Sequence, residues 1–483
     1  MIVFWKKPTN ELQVYINFPN IFKQKNQYHL SLLCVNDVNI YIMNPKFDKY
    51  LDEASQCVKC GICQHECPTY IATGDESMVA RGRLALLEAV AEGDLKLSSG
   101  IADRMSKCTS CLSCVTNCPR GIDPVKIINA AKGEYFEKNG SDFISKMVFK
   151  YLGNNERSLY PLFKLIGMAS NLFYSRIPAE GWLKESLPFV KNGIKKNFPQ
   201  FGKRNLKDGL PEIVKVKNPK MRVAFFTGCM TDFVFQETGQ KIISILKANN
   251  IETIIPKNIG CCGAPAYYMG DHKTALKLAR ENFRILSQLN PDYIIFNCAT
   301  CGKVLKSIYE TLLNLNGDFS CFSKKVIDIH KFLVVNKCKT EDLQNEEGSE
   351  NKAYLATIKQ LQKVKSANKK IRVTYHDPCH LKRGLNTYLE PREILKSLPM
   401  VDFVEMESPD ACCGGAGGFN LKHYDLSLQI GKRKAESIKR TGADVVVTGC
   451  PSCQMQIMDV LHRADYDRPV LHTVELLNSK ILA

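Results

Sequence analysis

The 483-residue sequence has no uninterrupted apolar run long enough to span a bilayer as a helix, which takes about 18 residues. The best candidate, residues 159–173, is broken by Lys164. Residues 1–7 do not place a charged region ahead of an apolar stretch with a cleavage site, so we expect no secretory signal. We therefore expect a cytoplasmic protein, with peripheral contact at the inner face of the membrane left open.

Nucleotide-binding motifs are also missing. There is no P-loop, and the one glycine string, Gly414-Gly-Ala-Gly-Gly418, follows two cysteines rather than a strand. The sequence has neither a zinc-finger spacing nor an aromatic–basic RNA motif, so we expect no nucleic-acid partner. The formal net charge of +17 is better explained by lysine-rich stretches at 184–220 and 359–370, which have the composition of solvated faces or linkers.

Cysteine is abundant instead, with 21 residues that fall mostly in tight groups with two-residue gaps. Such grouping in a cytosolic chain indicates metal or redox chemistry rather than a disulfide framework. The apolar fraction of 45% and the charged fraction of 24% are typical of globular proteins. At roughly 150 residues per domain, the length predicts about three domains.

Two cysteine runs, at residues 57–68 and 108–119, fit the pattern C-x2-C-x2-C-x3-C-P. This pattern holds [4Fe–4S] cubane clusters, and the fourth cysteine of each run binds the cluster of the other run. Zinc needs only two C-x2-C pairs, which makes it the weaker interpretation of two complete runs. The predicted ligand sets are Cys57, Cys60, Cys63 and Cys118 for one cubane, and Cys108, Cys111, Cys114 and Cys67 for the other.

Residues 218–483 contain an internal repeat. The segment 220–229 matches 370–379, the Cys-Cys-Gly run at 261–263 matches 412–414, and 298–301 matches 450–453, at offsets of 150, 151 and 152 residues. Offsets that drift so little indicate two copies of one unit. Each copy, here called a CCG unit, supplies five cysteines: Cys229, Cys261, Cys262, Cys298 and Cys301 in the first, and Cys379, Cys412, Cys413, Cys450 and Cys453 in the second.

Each CCG unit alternates strand and helix patterns, which predicts a mostly parallel α/β sheet with cysteines at the carboxyl ends of strands. Adjacent cysteines suit a larger or irregular cluster better than one cubane, because neighbouring side chains diverge. Gly263 and Gly414 allow a positive φ or a close backbone approach beside such a site. Buried structural or zinc-binding cysteines are the plainer alternative. The remaining cysteines, Cys34, Cys321 and Cys338, have no metal-ligand spacing.

The predicted architecture is an α+β multidomain chain, in which an α-helical two-cluster ferredoxin domain precedes two repeated α/β CCG domains. Residues 141–217 are interpreted as amphipathic helices that pack on the core, with contact at a membrane surface left open. Met43 is an alternative start of the chain. The predicted parts are an extension at 1–45, the ferredoxin domain at 46–140, a helical linker at 141–217, the first CCG domain at 218–337, a Lys-rich linker at 338–370 and the second CCG domain at 371–483.

This order of parts resembles the iron–sulphur subunit of glycolate oxidase and of related D-lactate dehydrogenases, and also heterodisulfide reductase subunits. The resemblance covers about residues 46–483. The family often has proline before Arg-Gly-Arg, where this chain has Ala80. The local matches are Cys60-Gly-Ile-Cys63, Cys67-Pro-Thr-Tyr70, Gly74-Asp-Glu76, Arg81-Gly-Arg83 and Cys118-Pro-Arg-Gly121.

The first resemblance implies an electron-transfer subunit of a 2-hydroxy acid dehydrogenase. Glycolate or D-lactate would be oxidised on a separate FAD-binding subunit, and this chain would pass the electrons to a quinone or another carrier. The resemblance to heterodisulfide reductase implies that each five-cysteine unit can hold a noncubane [4Fe–4S] cluster, which leaves reduction of a disulfide as the alternative function. A zinc or nucleic-acid module is the third hypothesis.

Overall fold

The computed structural model describes residues 47–140, 205–315, 319–340 and 370–477, together with short pieces within 174–199 and 354–362. All of these residues belong to one compact unit, Ile42–Ala483. The predicted extension at 1–45, with Cys34 and Met43, lies outside the described residues, as does most of the predicted linker at 141–217. Among the helices that are described, none has the length and apolar character needed to cross a membrane.

The ferredoxin part is entirely helical. Its longest helix, Pro124–Asn139, begins with proline, and the Asp123 side chain accepts a hydrogen bond from the Lys126 amide at 3.0 Å, so the first turn is capped. Apolar side chains of this helix and of Ala80–Ala91 form the core. The shorter helices are Leu51–Ala54, Ile62–His65, Pro68–Thr73, Ser99–Ser106 and Ser113–Thr116, with 3-10 turns at Phe47–Tyr50 and Glu76–Met78.

Within the predicted helical linker, residues 174–177, 183–186 and 198–199 are strands and Lys207–Gly209 is a 3-10 turn, which corrects the helical expectation for these residues. Strands β1 (Tyr174–Ile177), β2 (Leu183–Ser186) and β3 (Phe198–Pro199) form an antiparallel ribbon. Proline recurs at 178 and 188 and glycine at 181, so the uninterrupted segments are too short to offset the cost of starting a helix. Pairing with a neighbouring strand satisfies their backbone groups instead.

The first CCG domain is built on five strands in the order β4–β6–β5–β7–β8. All neighbours are parallel except β4, which pairs antiparallel with β6 and comes from the end of the predicted linker. The strands are β4 (Ile213–Val214), β5 (Met221–Phe226), β6 (Ile251–Ile254), β7 (Tyr293–Phe296) and β8 (Val326–Asp328).

The second CCG domain has four parallel strands in the order β10–β9–β11–β12. This order repeats β6–β5–β7–β8 of the first domain, strand for strand. The predicted fold class, a helical ferredoxin part followed by two copies of an α/β unit, is therefore confirmed. The strands are β9 (Ile371–His376), β10 (Val401–Phe403), β11 (Val445–Thr448) and β12 (Val470–His472).

Helices connect the parallel strands in both CCG domains, as parallel pairing requires. The longest described helices of the two domains, with 18 residues each, are His272–Leu289 and Tyr424–Thr441. The other helices of the first domain are Gly228–Phe233, Gln236–Ala248, Ala264–Met269, Ala299–Lys303, a π-helical turn Val304–Ile308, Tyr309–Leu313, Phe319–Lys325 and Ile329–Val335. Those of the second are Cys379–Leu385, Leu389–Ser397, Phe419–Lys422, Pro451–Arg463 and Thr473–Leu477.

The predicted Lys-rich linker at 338–370 also contributes to the core. Tyr354, Ile358 and Leu361 are helical and buried, and they belong to the same apolar cluster as Phe332 and Leu395. Their spacing of four and then three residues places them on one face of a helix. The lysines around them dominate the composition of the segment, which is why the buried face was missed.

Candidate metal centres

The first cavity in the ferredoxin part is lined by one of the predicted ligand sets. Gly61 enables the tight turn into the helix Ile62–His65, because it takes a φ of 85° that other residues rarely adopt. Cys60 is exposed, whereas its partners are half-buried, so this cavity lies nearest the surface. The cysteines around it are the predicted set, Cys57, Cys60, Cys63 and Cys118, together with Cys114.

The second cavity is lined by Cys67, Cys108, Cys111 and Cys114. Cys67 immediately precedes the helix Pro68–Thr73, and the proline turns the chain so that this cysteine faces the other run. Cys114 lines both cavities, so the two are adjacent. Burial raises the pKa of the Cys111 and Cys114 thiols. Each therefore stays protonated unless a bound cation stabilises its thiolate.

The donor sets fit iron–sulphur clusters. Each cavity brings together four thiols, which are the ligands that [4Fe–4S] clusters take. A structural zinc site is closed by four ligands, whereas these runs bring eight cysteines to two adjacent cavities. Two complete C-x2-C-x2-C-x3-C-P runs therefore favour clusters over single ions.

Two arginines of the Arg81-Gly-Arg83 motif line the two cavities, one each. Arg83 is only 2% exposed, and its guanidinium donates hydrogen bonds to the carbonyl oxygens of Met78 and, at 3.0 Å, Arg104. Arg81 is more exposed and pairs with Glu76 at 2.5 Å. Both place positive charge next to a site that would hold an anionic cluster.

We expect Arg83→Lys to lower the free energy of unfolding by about 3 kcal/mol, because a lysine cannot reach several carbonyl groups at once and its buried charge would lack partners. Chemical denaturation of the anaerobically purified protein measures this loss. Arg81→Lys is the matched control, and its loss should be clearly smaller because that ion pair is solvated. Equal losses in the two variants would contradict this account of Arg83.

The first CCG unit places its cysteines at the carboxyl ends of strands, as predicted. Cys229 follows β5 and Cys298 follows β7, while Cys261 and Cys262 precede Gly263, which has a φ of 87°. Asn282 fixes this turn, since its side-chain amide donates to the Cys261 carbonyl oxygen at 2.9 Å and accepts from the Gly260 amide at 2.9 Å. All five cysteines except Cys229 are buried.

The second CCG unit has the same plan, with Cys379 after β9 and Cys450 after β11. The position equivalent to Asn282 is Lys434, which is fully buried. The Lys434 ammonium donates to the carbonyl oxygens of Ser408 at 2.6 Å and Pro409 at 3.1 Å, and burial lowers its pKa to about 8. The second unit therefore holds a buried cation where the first has a neutral amide.

The two CCG units meet at equivalent cysteines. The sulphurs of Cys298 and Cys450 lie 3.9 Å apart in the interior. A second contact crosses the same interface, where Nε2 of His472 lies 3.1 Å from the Asn297 carbonyl oxygen. Within the first unit, hydrogen bonds from the Cys261 and Cys301 thiols lower the pKa of Cys262 to about 6. The two cysteine groups therefore approach each other in the interior at this pair of sulphurs.

The second CCG unit also contacts the ferredoxin part. Nε2 of His380 lies 2.9 Å from the Ser110 carbonyl oxygen, and Arg383 pairs with Glu66 at 3.3 Å. Burial raises the pKa of Cys379, and the nearby thiolate charge of Cys111 raises it further. The Cys67 cavity therefore lies next to the second CCG unit, and the first CCG unit also contacts the ferredoxin part, where Lys132 donates to the Tyr268 carbonyl oxygen at 3.4 Å.

His376 was not anticipated from the sequence. A ring nitrogen of His376 and the sulphurs of Cys413 and Cys453 all lie within 4.8 Å of one another, and all three residues are buried. The internal repeat could have identified this residue, because the offset of 150 residues aligns His376 with Phe226. Histidine can bind a metal and phenylalanine cannot, so the two units differ at equivalent positions.

Comparison with known proteins agrees with these sites. A model of a 4Fe-4S dicluster domain matches residues 53–122, and a model of a cysteine-rich domain matches twice, at 223–306 and 373–458. An uncharacterised iron–sulphur protein of Methanococcus maripaludis is 32% identical over 434 residues, which cover 88% of this chain and 72% of that protein. The probable glycolate oxidase iron–sulphur subunit of Bacillus subtilis is 29% identical over 446 residues, which cover 89% and 95%.

The chain belongs to this iron–sulphur family. One component of the dihydromethanophenazine:CoB–CoM heterodisulfide reductase of Methanosarcina barkeri is also similar, at 26% identity over 449 residues that cover 88% of this chain and 94% of that component. The predicted resemblance to glycolate oxidase and heterodisulfide reductase subunits is thereby confirmed. Membership of this family supports iron–sulphur clusters as cofactors, a redox role and work within a multi-subunit complex.

Proposed function

We propose that this chain is the electron-transfer subunit of a flavin-dependent 2-hydroxy acid dehydrogenase. Glycolate or D-lactate would be oxidised on an FAD-binding partner subunit, and the electrons would leave to a quinone or another carrier. The similarity to the Bacillus subtilis protein supports this class of substrate. Location in the cytoplasm, with peripheral contact at the inner face of the membrane, is part of the same proposal.

The observation that carries the proposal is the series of four cysteine groups through the protein. We assign Cys57, Cys60, Cys63 and Cys118 to one cubane and Cys67, Cys108, Cys111 and Cys114 to the other, because each set lines one cavity. We assign the five cysteines of each CCG unit to a noncubane cluster. Clusters bound at these positions would supply one-electron carriers.

The residues of this chain have clear tasks in such a series. The exposed Cys60 places the first cavity where a partner protein can approach it. Arg81 and Arg83 contribute positive charge beside the two cavities, which favours the reduced state of an anionic cluster. Asn282 holds the first Cys-Cys turn, Lys434 holds the segment that leads into the second, and the surrounding apolar core excludes water from the deeper sites.

The test is reduction by the substrate. The chain should be purified without oxygen, both alone and together with an FAD-binding hydroxy-acid oxidase subunit encoded beside it, and then mixed with glycolate or D-lactate. Bleaching of the cluster absorption is expected only when the flavin subunit is present. If dithionite bleaches the clusters of the complex but neither acid does, the proposed substrate class is wrong.

Reduction of a disulfide is the second candidate, favoured by the 3.9 Å approach of Cys298 to Cys450 and by the similarity to the Methanosarcina barkeri heterodisulfide reductase component. Both CCG units keep all five cysteines, so both can hold the cluster that such a reaction needs. Addition of a thiol to the isolated, oxidised chain distinguishes the candidates. A new thiol-dependent EPR signal would favour disulfide chemistry, and an unchanged spectrum would favour simple electron transfer.

A further inference from the structure

The two CCG units differ at the last residue of their first strands. Strand β5 ends at Phe226 and strand β9 at His376, and each side chain is about 1% exposed. The neighbouring strands repeat the difference, since Phe226 is paired with Phe296 and His376 with Thr448. The first site is therefore bordered by apolar rings and the second by polar side chains at the same places.

The His376 ring is oriented as a ligand. Its Nδ1 lies 3.1 Å from the Pro409 carbonyl oxygen, and because a carbonyl only accepts, Nδ1 must carry the proton. In the neutral imidazole the lone pair is then on Nε2. Nε2 is buried and is paired with no oxygen or nitrogen in the described part of the chain, while the His376 side chain interacts with the Cys413 thiol. Histidines that bind metals commonly donate their second nitrogen to a backbone carbonyl in this way.

We propose that Nε2 of His376 is a ligand of the cluster in the second CCG unit, so that the two units hold chemically different clusters. The sulphurs of Cys413 and Cys453 lie within 4.8 Å of the same imidazole, which places three donors around one point. Phe226 offers no donor at the equivalent place. This inference rests on the assignment of iron–sulphur clusters to the CCG units in the proposed function.

The two units then differ in reduction potential. Both units keep five cysteines, so His376 would add a neutral donor to the second site without replacing a thiolate. The buried ammonium of Lys434 raises the potential of the second cluster, because it favours the additional electron. Electrons that enter from the ferredoxin part would therefore remain in the second CCG unit, where Cys379 lies close enough to Cys111 to feel its charge.

The test is the nitrogen coupling seen by pulsed EPR of the reduced, anaerobically purified full-length protein. We expect a strong coupling to one imidazole nitrogen, which shifts in the expected isotopic ratio when histidine is labelled with ¹⁵N. His376→Phe should abolish the coupling and shift the potential of one CCG cluster while its iron is retained. His462→Phe is the control, because His462 pairs with Asp467 at the surface and its loss should change neither measurement.

If His376→Phe does not fold, the nitrogen coupling measured in the unsubstituted, ¹⁵N-labelled protein still tests the ligand assignment. A cluster signal from the CCG units without strong nitrogen coupling would overturn the ligand assignment while the proposed electron-transfer function stands. Coupling that persists in a folded His376→Phe protein would also overturn it. Iron confined to the ferredoxin part would overturn the ligand assignment together with the cluster assignment of the CCG units. If the coupling depends on His376 but no hydroxy acid reduces the protein, His376 is supported as a cluster ligand and only the proposed substrate class is rejected.

Discussion

Cys118→Ser is expected to remove about four iron atoms per chain and to abolish the cubane begun by the other cysteine run. The reason is geometric, because Cys118 lines the same cavity as Cys57, Cys60 and Cys63, although 50 or more residues separate it from them. Serine is a weaker ligand for iron than a thiolate, and this cavity is the more exposed of the two. EPR of the reduced protein and iron analysis together measure the loss.

The matched control for this experiment is Cys321→Ser. Cys321 is exposed and belongs to none of the four cysteine sets, so its replacement should leave the iron content and the spectrum unchanged. Cys67→Ser makes the reciprocal case, and it should damage the cubane of the second run. If Cys118→Ser left the cluster at Cys57, Cys60 and Cys63 intact and removed the other one, the crossed ligand assignment would be wrong.

Gly414→Ala is expected to lower the free energy of unfolding by about 3 kcal/mol or more and to empty the second CCG unit. Gly414 has a φ of 86°, and an added Cβ would lie 2.4 Å from the Ser427 carbonyl oxygen, which is backbone and cannot move away freely. The strain would displace the adjacent Cys412 and Cys413. Denaturation measures the stability, and iron analysis measures the occupancy.

Gly417→Ala separates the two causes of this effect. Gly417 also has a positive φ, of 58°, but no atom lies within 4 Å of an added Cβ. Its replacement should cost about 1 kcal/mol, which is the penalty of the backbone conformation alone. Similar losses in the two variants, or full iron content in Gly414→Ala, would refute the idea that close packing of Gly414 shapes the second site.

Local spacing allowed much of this architecture to be predicted. The cysteine runs at 57–68 and 108–119 are defined by intervals of two or three residues, which a short turn translates directly into positions around a cavity. The repeat likewise predicted cysteines after strands β5, β7, β9 and β11, because each apolar run ends at a cysteine and parallel strands share a carboxyl edge. These expectations depend only on residues that lie close together in the sequence, so the sequence alone is enough to reach them.

Features that depend on distant segments were missed. The residues of β1–β3 are held by pairing with one another, which composition does not reveal, and the buried face of Tyr354, Ile358 and Leu361 was hidden among lysines. The contact between Cys298 and Cys450 requires two domains to be packed together. His376 looks like an ordinary strand residue until the fold places its ring beside Cys413 and Cys453.

Eighteen cysteines in four sets are assigned here to iron–sulphur clusters. Determination of iron, zinc and acid-labile sulphide in protein purified without oxygen tests this assignment. The ligand sets predict about sixteen iron atoms and a matching amount of sulphide per chain, with no stoichiometric zinc. A colourless protein that contains zinc or no metal, and no sulphide, would contradict the assignment and remove the basis of the electron-transfer function.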